Sequence, residues 1–185
     1  MPSLARQRLS DDHRAVDQVL KQLLTALHNQ DIATSYSKLD LLWARLAVHI
    51  RAEHLHLFPD VLNRLSGLSD DVAAPDLSLA KSVVDNLRAD HDFFMHELAR
   101  AVGILRELPR PINSEGEATL ASVRDIVLAV EKRLANHNNI EENQIYRWAS
   151  TILTEDEQMD LGTRINGELQ NRPSRFSADV WANLA

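Results

Sequence analysis

Two segments of this chain repeat one pattern, a histidine followed four residues later by a glutamate. The pairs are His49 with Glu53 and His137 with Glu141. In an α-helix a step of four residues returns to the same face one turn further on, so each pair directs an imidazole and a carboxylate to one point. The pattern therefore predicts long helices that carry two half-sites for a metal.

A further histidine precedes each pair, His13 before the first and His91 before the second. All six side chains lie on the apolar stripes of predicted helices. Burying four imidazoles and two carboxylates at one depth without partners would cost about several kcal/mol in unpaired polar groups, whereas a di-metal centre satisfies all six. A single histidine on an apolar stripe is more often a hydrogen-bonded core residue, so the interpretation rests on the joint pattern. The predicted metal ligands are His13, His49, Glu53, His91, His137 and Glu141.

Apolar residues recur at three- and four-residue steps along most of the chain, which is the period of an α-helix. Five glycines and six prolines in 185 residues also favour long helices over strands. We predict helices over residues 4–29, 32–57, 76–108 and 114–145, with Pro59 ending or kinking the second. A shorter fifth helix follows the capping residues Thr154 and Glu157 and includes Met159 and Leu161 on its stripe.

Short connections make consecutive helices antiparallel neighbours. The predicted fold class is therefore all-α, an antiparallel up-down-up-down four-helix bundle with an additional C-terminal helix. We expect the bundle to span residues 1–150, and residues 151–185 to form a helix and tail that pack on it through Trp181. Residue counting places His13, His49 and His91 at one level. The return to His137 is some six residues too long, roughly 9 Å, unless the proline-bearing loop absorbs the excess.

Composition excludes several classes of function. A formal charge of −7 without a basic cluster argues against a nucleic-acid or membrane-surface partner. No stretch has the character of a signal sequence or a membrane span, so we expect a cytoplasmic protein. Because the chain has no cysteine, disulfides, zinc fingers and iron–sulfur clusters are excluded, and any metal must be held by nitrogen and oxygen.

The remaining four histidines have different predicted positions. His54 lies one step off the inward face, which favours a place at the rim of the site. His56 falls near the face of His49 and is either a ligand or a hydrogen-bond donor behind the ligands. His96 is expected to point aside from the site, and His28 lies near a helix end at the surface.

The order and spacing of these motifs resemble the hemerythrin-like HHE cation-binding domain family. The resemblance covers roughly residues 8–150, and its motifs are specific as a set although each alone is weak. The residues that carry it are His13, then His49 and Glu53 followed by Leu57-Phe58-Pro59, then His91, then His137 and Glu141-Glu142. The family implies a four-helix bundle with a non-haem di-iron centre. It also implies that Glu53 and Glu141 bridge the two iron ions and that the four histidines are terminal ligands.

Two departures from the oxygen-carrying hemerythrins bear on function. In those proteins a second histidine follows four residues after the third-helix histidine, where this chain has Met95 after His91, and their last carboxylate is an aspartate one residue beyond the position of Glu141. Two six-coordinate iron ions have twelve coordination positions, of which the two glutamates would fill four and the four histidines another four. The remaining four are left for solvent, an oxo or hydroxo bridge, a substrate, or a side chain such as His56. A small diatomic molecule or a peroxide would fit at the open positions, because their expected neighbours are apolar. These neighbours are Val16, Phe94, Met95 and Leu134.

The resemblance implies a di-iron protein that binds or reduces a small oxygen or nitrogen species, namely dioxygen, peroxide or nitric oxide. Imidazole and carboxylate ligands alone would equally suit manganese or zinc. One alternative is an iron or oxygen sensor that signals to a partner, through the fifth helix and Trp181. The other is a metal-free helical interaction protein. The sequence identifies no catalytic residue and no protein partner, and it leaves open whether the protein is an enzyme.

Overall fold

The computed structural model of the protein describes residues 3–68, 74–108 and 114–182, and every regular element within these ranges is helical. Two π-helical turns, Glu53–Leu57 and Glu141–Ile145, join α2 to α3 and α5 to α6 without a break. No described helix is long and apolar enough to cross a membrane. The α-helices are α1 (Leu4–His28), α2 (Ile32–Ala52), α3 (Phe58–Ser66), α4 (Leu77–Glu107), α5 (Ser114–Ile140), α6 (Tyr146–Ile152), α7 (Glu155–Leu169) and α8 (Ala178–Ala182).

Side-chain caps fix the starts of the helices that carry the site. Asp31 accepts a hydrogen bond from the backbone N–H of Thr34 at 3.0 Å, and this bond caps α2. Asp76 caps α4 in the same way, through the backbone N–H of Ser78 at 2.7 Å. Thr154 and Glu157 form the predicted capping box at the start of α7. Each cap satisfies backbone donors that have no partner within the helix.

The four longest helices surround a common interior. Helix α1 packs against α2 and α5, and α4 packs against the same two helices, so each of the four contacts two others. Helix α7 covers the outside of α1 and α2. The excess of residues between His91 and His137 does not separate these two side chains, whose Nε2 atoms lie 3.0 Å apart. Residues 109–113, where the proline-bearing loop was expected to absorb the excess, lie outside the described ranges.

The interior contains two apolar clusters with a layer of buried polar side chains between them. One cluster includes Leu23 and Leu42 and is built mainly from α1, α2, α4 and α5. The other includes Leu9, Phe58 and Tyr146 and is built around the π-helical turns and α7. The predicted metal ligands occupy the layer between the clusters, and all six are buried.

Two details of the predicted helices differ in the structure. Pro59 does not end the second helical run, because the π-helical turn precedes it and helical structure resumes as α3, while a kink at Pro59 stays a prediction. Pro59 stands at the start of α3, where the missing N–H is tolerated. Met159 was placed on the inward stripe of the fifth helix, but it is 62% exposed, whereas Leu161 is buried. The stripe of α7 therefore starts two residues later than predicted.

The C-terminal segment contacts the α2 side of the molecule through Trp181. Its indole N–H donates to the backbone carbonyl of Leu169 at 3.1 Å. Its own backbone carbonyl accepts a hydrogen bond from Arg45 Nη1 at 2.7 Å, and the Arg45 guanidinium lies 5.5 Å from the centre of the indole ring. The end of the described chain thus covers a buried arginine of α2.

Candidate metal centre

The four histidines of the cluster form two pairs whose inward nitrogens lie close together. His13 Nε2 is 3.2 Å from His49 Nε2, and His91 Nε2 is 3.0 Å from His137 Nε2. Two nitrogens that each lie about 2.1 Å from one ion, at a right angle, are separated by about 3.0 Å. Each pair therefore has the spacing of two imidazole ligands of a single ion. We call the His13 and His49 pair the first half-site, and the His91 and His137 pair the second.

Glu53 and Glu141 lie between the two half-sites and face both. Glu53 Oε1 is 3.5 Å from His49 Nε2, and its Oε2 is 3.4 Å from His91 Nε2. Glu141 Oε2 is 3.2 Å from His13 Nε2, and its Oε1 is 2.9 Å from His137 Nε2. The ligand atoms of each half-site and of both glutamates lie within 4.8 Å of one another. Each carboxylate thus directs one oxygen to each pair of histidines, which is the arrangement of a bridging ligand.

Two oxygens of these glutamates lack the hydrogen bonds that buried carboxylates normally accept. Within the described residues, Glu53 Oε2 and Glu141 Oε1 are inaccessible to solvent and accept no hydrogen bond. The nearest imidazole nitrogens are those of His91, 3.4 Å from Glu53 Oε2, and of His137, 2.9 Å from Glu141 Oε1. An unsatisfied buried carboxylate oxygen is unfavourable by about 1–3 kcal/mol or more. A cation between the glutamates would satisfy both oxygens, so the donor set fits a metal.

An aspartate on the preceding helix orients one histidine of each half-site. Asp12 Oδ2 is 2.9 Å from His49 Nδ1, and Asp90 Oδ2 is 3.2 Å from His137 Nδ1. An ionised carboxylate only accepts, so in each case Nδ1–H donates and Nε2 remains the nitrogen that faces the cluster. Such partners fix the tautomer and the ring orientation of a metal-binding histidine.

The other histidine of each half-site, His13 or His91, also has a polar partner. This partner directly follows the glutamate of the other repeat. Glu142 Oε1 is 3.0 Å from His13 Nδ1, and His54 Nε2 is 2.9 Å from His91 Nδ1. All four ring nitrogens that point away from the cluster therefore have a polar partner. This contact also agrees with the predicted place of His54 at the rim, since it is half-buried and lies behind His91.

Tyr146 joins the cluster through its hydroxyl group, which sequence reasoning missed. The hydroxyl donates to Glu53 Oε1 at 3.0 Å and lies 3.2 Å from His13 Nε2. Tyr146 follows Glu141 by five residues, a step that in an α-helix would turn it about 140° away. In a π-helical turn five residues return to the same face, so Tyr146 and Glu141 both point inward. No feature of the local sequence announces that turn.

The electrostatics of the cluster favour positive charge between the carboxylates. Burial opposes the charged form of His49, but the charge of Glu53 and the hydrogen bond to Asp12 raise the pKa of His49 well above its ordinary value of 6.5. Burial also opposes ionisation of Glu141, yet His137 and His13 lower the pKa of Glu141 well below 4.5. Ionised carboxylates in this interior therefore attract either protons on the imidazoles or a metal cation.

Burial raises the pKa of Tyr146 well above its ordinary value of 10.0, and the charges of Glu53 and Glu141 raise it further. The phenol therefore keeps its proton at neutral pH. It acts in this state as a hydrogen-bond donor to Glu53.

Four other candidate side chains lie away from the cluster. His56 is half-buried beside Arg164, with 3.4 Å between His56 Nδ1 and Arg164 Nη1, and it belongs to neither group of converging ligand atoms. His28 and His96 are exposed, as predicted. Met95 was expected beside the open coordination positions, but it is half-buried and lines an outer groove with Trp43.

The other three apolar neighbours of the predicted site are buried: Val16, Phe94 and Leu134. The Phe94 ring packs edge-on against His137, with 5.2 Å between ring centres.

The internal repeat of the sequence extends beyond the histidines and glutamates to the residues that support them. The segments RLAVHIRAEHLHLF and RLANHNNIEENQIY align without a gap, and an aspartate directly precedes both His13 and His91. The alignment pairs Arg45 with Arg133, His54 with Glu142 and Phe58 with Tyr146. Extending the repeat beyond the histidines and glutamates would therefore have identified Asp12 and Asp90 as equivalent residues.

Comparison with known families matches residues 4–149 to the hemerythrin HHE cation binding domain. Comparisons with curated proteins and with solved structures find no significant match. The matched range contains all six converging histidines and glutamates, and a cation-binding family agrees with a buried cluster of this composition.

Proposed function

The chain belongs to the hemerythrin HHE cation binding domain family, and we propose that it holds two iron ions with which it binds or reduces a small oxygen or nitrogen species. The observation that carries this proposal is the position of the two glutamates, each of which directs one oxygen to each pair of histidines. A site for one ion would not need two carboxylates shared between two histidine pairs.

The proposed ligands follow from the two half-sites. His13 and His49 hold one ion, His91 and His137 hold the other, and Glu53 and Glu141 connect them. The two buried carboxylate oxygens without hydrogen bonds support this assignment. So do the polar partners on all four outward Nδ1 atoms, because metal-binding histidines normally have such partners.

Iron is the metal that the family resemblance favours. Imidazole and carboxylate ligands bind iron, manganese and zinc, and ligand type alone does not distinguish these. Two iron ions, when bound, supply the one-electron couples through which dioxygen, peroxide or nitric oxide is bound or reduced. The protein contributes buried apolar side chains beside the cluster, including Phe94 and Leu134, which exclude bulk water. Tyr146 adds a hydroxyl donor directed at Glu53.

The proposal includes an antiparallel up-down-up-down four-helix bundle over residues 1–150, with residues 151–185 as an added helix and tail. Support comes from the packing of each long helix against two others and from the contact between His13 and His49, which lie on consecutive helices. The assignment of the added helix and tail is supported by two contacts. Helix α7 packs against α1, and the Trp181 ring lies against the Arg45 guanidinium.

An iron or oxygen sensor is the second candidate, and one observation favours it. Arg45 contacts both the backbone carbonyl of Trp181 and the carboxylate of Asp12, which in turn contacts His49. A chain of polar contacts thus runs from a proposed metal ligand to the C-terminal segment. If the protein is a sensor, we expect iron to protect this segment from limited proteolysis and to change the amount of a partner protein that binds the chain. If it is an enzyme, we expect turnover without either effect.

Iron loading tests the proposed centre directly. The metal-free protein would be loaded anaerobically with ferrous iron, freed of excess metal and analysed for iron, and we expect about two ions per chain. A variant with both bridging carboxylates replaced, Glu53→Gln and Glu141→Gln, should lose most of the iron. The matched control carries Glu115→Gln and Glu117→Gln on the exposed start of α5 and should keep it. Wild-type protein that retains no transition metal after this loading would refute the proposal and would favour a metal-free interaction protein.

A further inference from the structure

The two half-sites are related by the internal repeat, so their surroundings can be compared residue by residue. Each has a histidine supported by an aspartate on the preceding helix, and each aspartate is paired with an arginine four residues before that histidine. The ligand atoms alone therefore give no reason for one half-site to bind metal more tightly than the other. The differences lie in three positions behind the ligands.

The first difference is the partner of the remaining histidine. In the first half-site Nδ1 of His13 contacts a carboxylate oxygen of Glu142, whereas in the second half-site Nδ1 of His91 contacts an imidazole nitrogen of His54. A carboxylate acceptor makes the metal-binding nitrogen more basic than a neutral imidazole acceptor does. Changes in such partners alter metal affinity by about 10- to 100-fold. The first half-site has two carboxylate partners and the second has one.

The second difference is the burial of the supporting ion pair. The Arg45 side chain, paired with Asp12, is only 9% exposed because Trp181 covers it, whereas the Arg133 side chain, paired with Asp90, is 42% exposed. A buried pair holds its aspartate in one geometry, and a pair at the surface is weakened by solvent. His49 is therefore oriented more rigidly than His137.

The third difference is an oxygen that only the first half-site has. Tyr146 stacks on His13, with 5.8 Å between ring centres, and Phe58 stacks on His91 at 6.1 Å. The two aromatic residues occupy equivalent places, but only Tyr146 carries a hydroxyl group, which lies 3.2 Å from His13 Nε2. The first half-site thus has one more polar group beside its histidines than the second, a hydroxyl that fixes the position of Glu53 Oε1.

From these three differences we infer that the centre fills in a fixed order, with the His13 and His49 half-site taking the first metal ion and the His91 and His137 half-site taking the second, more weakly. Glu142 and His54 are the positioning residues that set most of this difference. The inference rests on the proposed function, because it assumes that the cluster holds two ions. The protein would then keep the first ion firmly and release the second as the concentration of free metal falls.

Diffraction from partly loaded protein tests the order without measuring any activity. Crystals would be grown from full-length wild-type protein loaded anaerobically with one equivalent of ferrous iron, and anomalous data would be collected at the iron edge. We expect iron density between His13 and His49 at several times the occupancy of the second position. Equal occupancy, or the higher occupancy between His91 and His137, would overturn the inference while leaving the two-ion centre intact. No iron at either position would overturn both.

Binding curves for matched variants test the cause. Anaerobic titration of the wild-type protein with ferrous iron against a chelating dye should give two steps whose dissociation constants differ by about 10- to 100-fold. His54→Glu supplies the missing carboxylate and should bring the two constants within about threefold. His96→Glu makes the same change at an exposed position on α4 and should leave the steps apart. Two separated steps that persist in His54→Glu would show that this position does not set the order, and circular dichroism would verify that both variants fold.

Discussion

The carboxylate of Asp12 on α1 lies 2.9 Å from Nδ1 of His49 on α2, so the first helix orients a histidine of the second. The same carboxylate also pairs with Arg45, which is buried. Asp90 makes the equivalent contacts with His137 and Arg133, but Arg133 is exposed. Two geometrically similar supports therefore differ in their exposure to water, and we expect this difference to affect stability.

We expect Asp12→Asn to destabilise the metal-free protein much more than Asp90→Asn. The first substitution leaves Arg45 buried without its counter-charge, at a cost of about 3–5 kcal/mol. The second leaves an arginine that water solvates, so the loss should stay near or below about 1 kcal/mol. Urea unfolding of both metal-free variants at pH 7 measures the difference. Similar losses in the two variants would mean that the burial of Arg45 has no energetic importance.

Glu141→Ala should abolish most of the stabilisation that metal provides, whereas His54→Ala should preserve most of it. Glu141 faces both half-sites, and His54 contacts only the outer nitrogen of one predicted ligand, His91. The appropriate quantity is the difference in Tm between iron-loaded and metal-free protein, measured for each variant, because it cancels effects on the metal-free fold. Equal differences in Tm for the two variants would contradict the bridging role of Glu141.

The metal-free protein should become less stable as the pH rises from 6 to 8. Burial opposes the charged forms of His13, His49 and His137, but neighbouring carboxylates raise their pKa values above 6.5. Their contribution to stability is fully present below the unfolded value of about 6.5 and is lost as the pH rises through the raised values. Burial lowers the pKa of His54, which gives an effect of opposite sign for this one residue.

Glu141 does not alter this trend between pH 6 and 8. Its pKa is lowered below 4.5, so its contribution is present above that pH and is lost only in more acidic solution. Metal binding has the opposite pH dependence, because protons compete with metal for the histidines. Calorimetry at several pH values, with and without iron, should therefore give a metal-dependent gain in Tm that grows with pH. A Tm of the metal-free protein that rises from pH 6 to pH 8 would contradict the assignment of charged histidines.

The reduced iron-loaded protein should be oxidised by air without forming a persistent complex with dioxygen. The proposed centre has four histidine ligands, one fewer than an oxygen-carrying hemerythrin, so it would leave more exchangeable coordination positions, which favours reduction of the bound species over its release. Stopped-flow mixing of reduced protein with oxygenated buffer, followed by spectroscopy, measures this. A visible absorption band that forms on mixing and disappears on purging with inert gas would instead identify a reversible carrier.

Gly162→Ala should separate α7 from α1 and destabilise the fold. A Cβ atom at Gly162 would lie 2.8 Å from Leu4 Cβ and 3.1 Å from the backbone nitrogen of Ala5, closer than packed atoms tolerate. Overpacking of this kind costs about 1–3 kcal/mol. Gly167→Ala on the same helix has no atom within 4 Å of its new Cβ and should stabilise by up to about 1 kcal/mol. Thermal unfolding of the two variants gives the comparison, and equal shifts in Tm would contradict this close contact.

The helical period of the sequence predicts well which side chains are buried, because residues three or four positions apart lie on the same face of a helix. It places all six predicted ligands on inward stripes but only three of the histidines at one level, and the structure brings all six together; their role as metal ligands stays a prediction. The contacts behind the ligands are harder to predict, since they join residues of different helices. Asp12 supports His49 and Glu142 supports His13, and neither contact follows from the spacing of residues along one helix.

Tyr146 illustrates a second limit of the helical period. Any search that assumes 3.6 residues per turn assigns it to the wrong face, because the turn before it is wider. Pro59 shows a related effect, since a proline that follows a π-helical turn need not end the helical run. Local propensities describe the average helix, whereas these positions depend on one irregular turn.

The π-helical turns give the run from α2 to α3 and the run from α5 to α6 two phases. In the first run His49, before the turn, and Glu53, at its first residue, face the interior, and so do Phe58 and Val61 after it, with one extra residue absorbing the difference. Deleting a single exposed residue within the turn, such as Leu55, would rotate everything after it by about 100° relative to the part before it. The chain could then bury either the ligands or the apolar side chains that follow them, but not both. The packing on both sides of each turn therefore constrains the number of residues inside it.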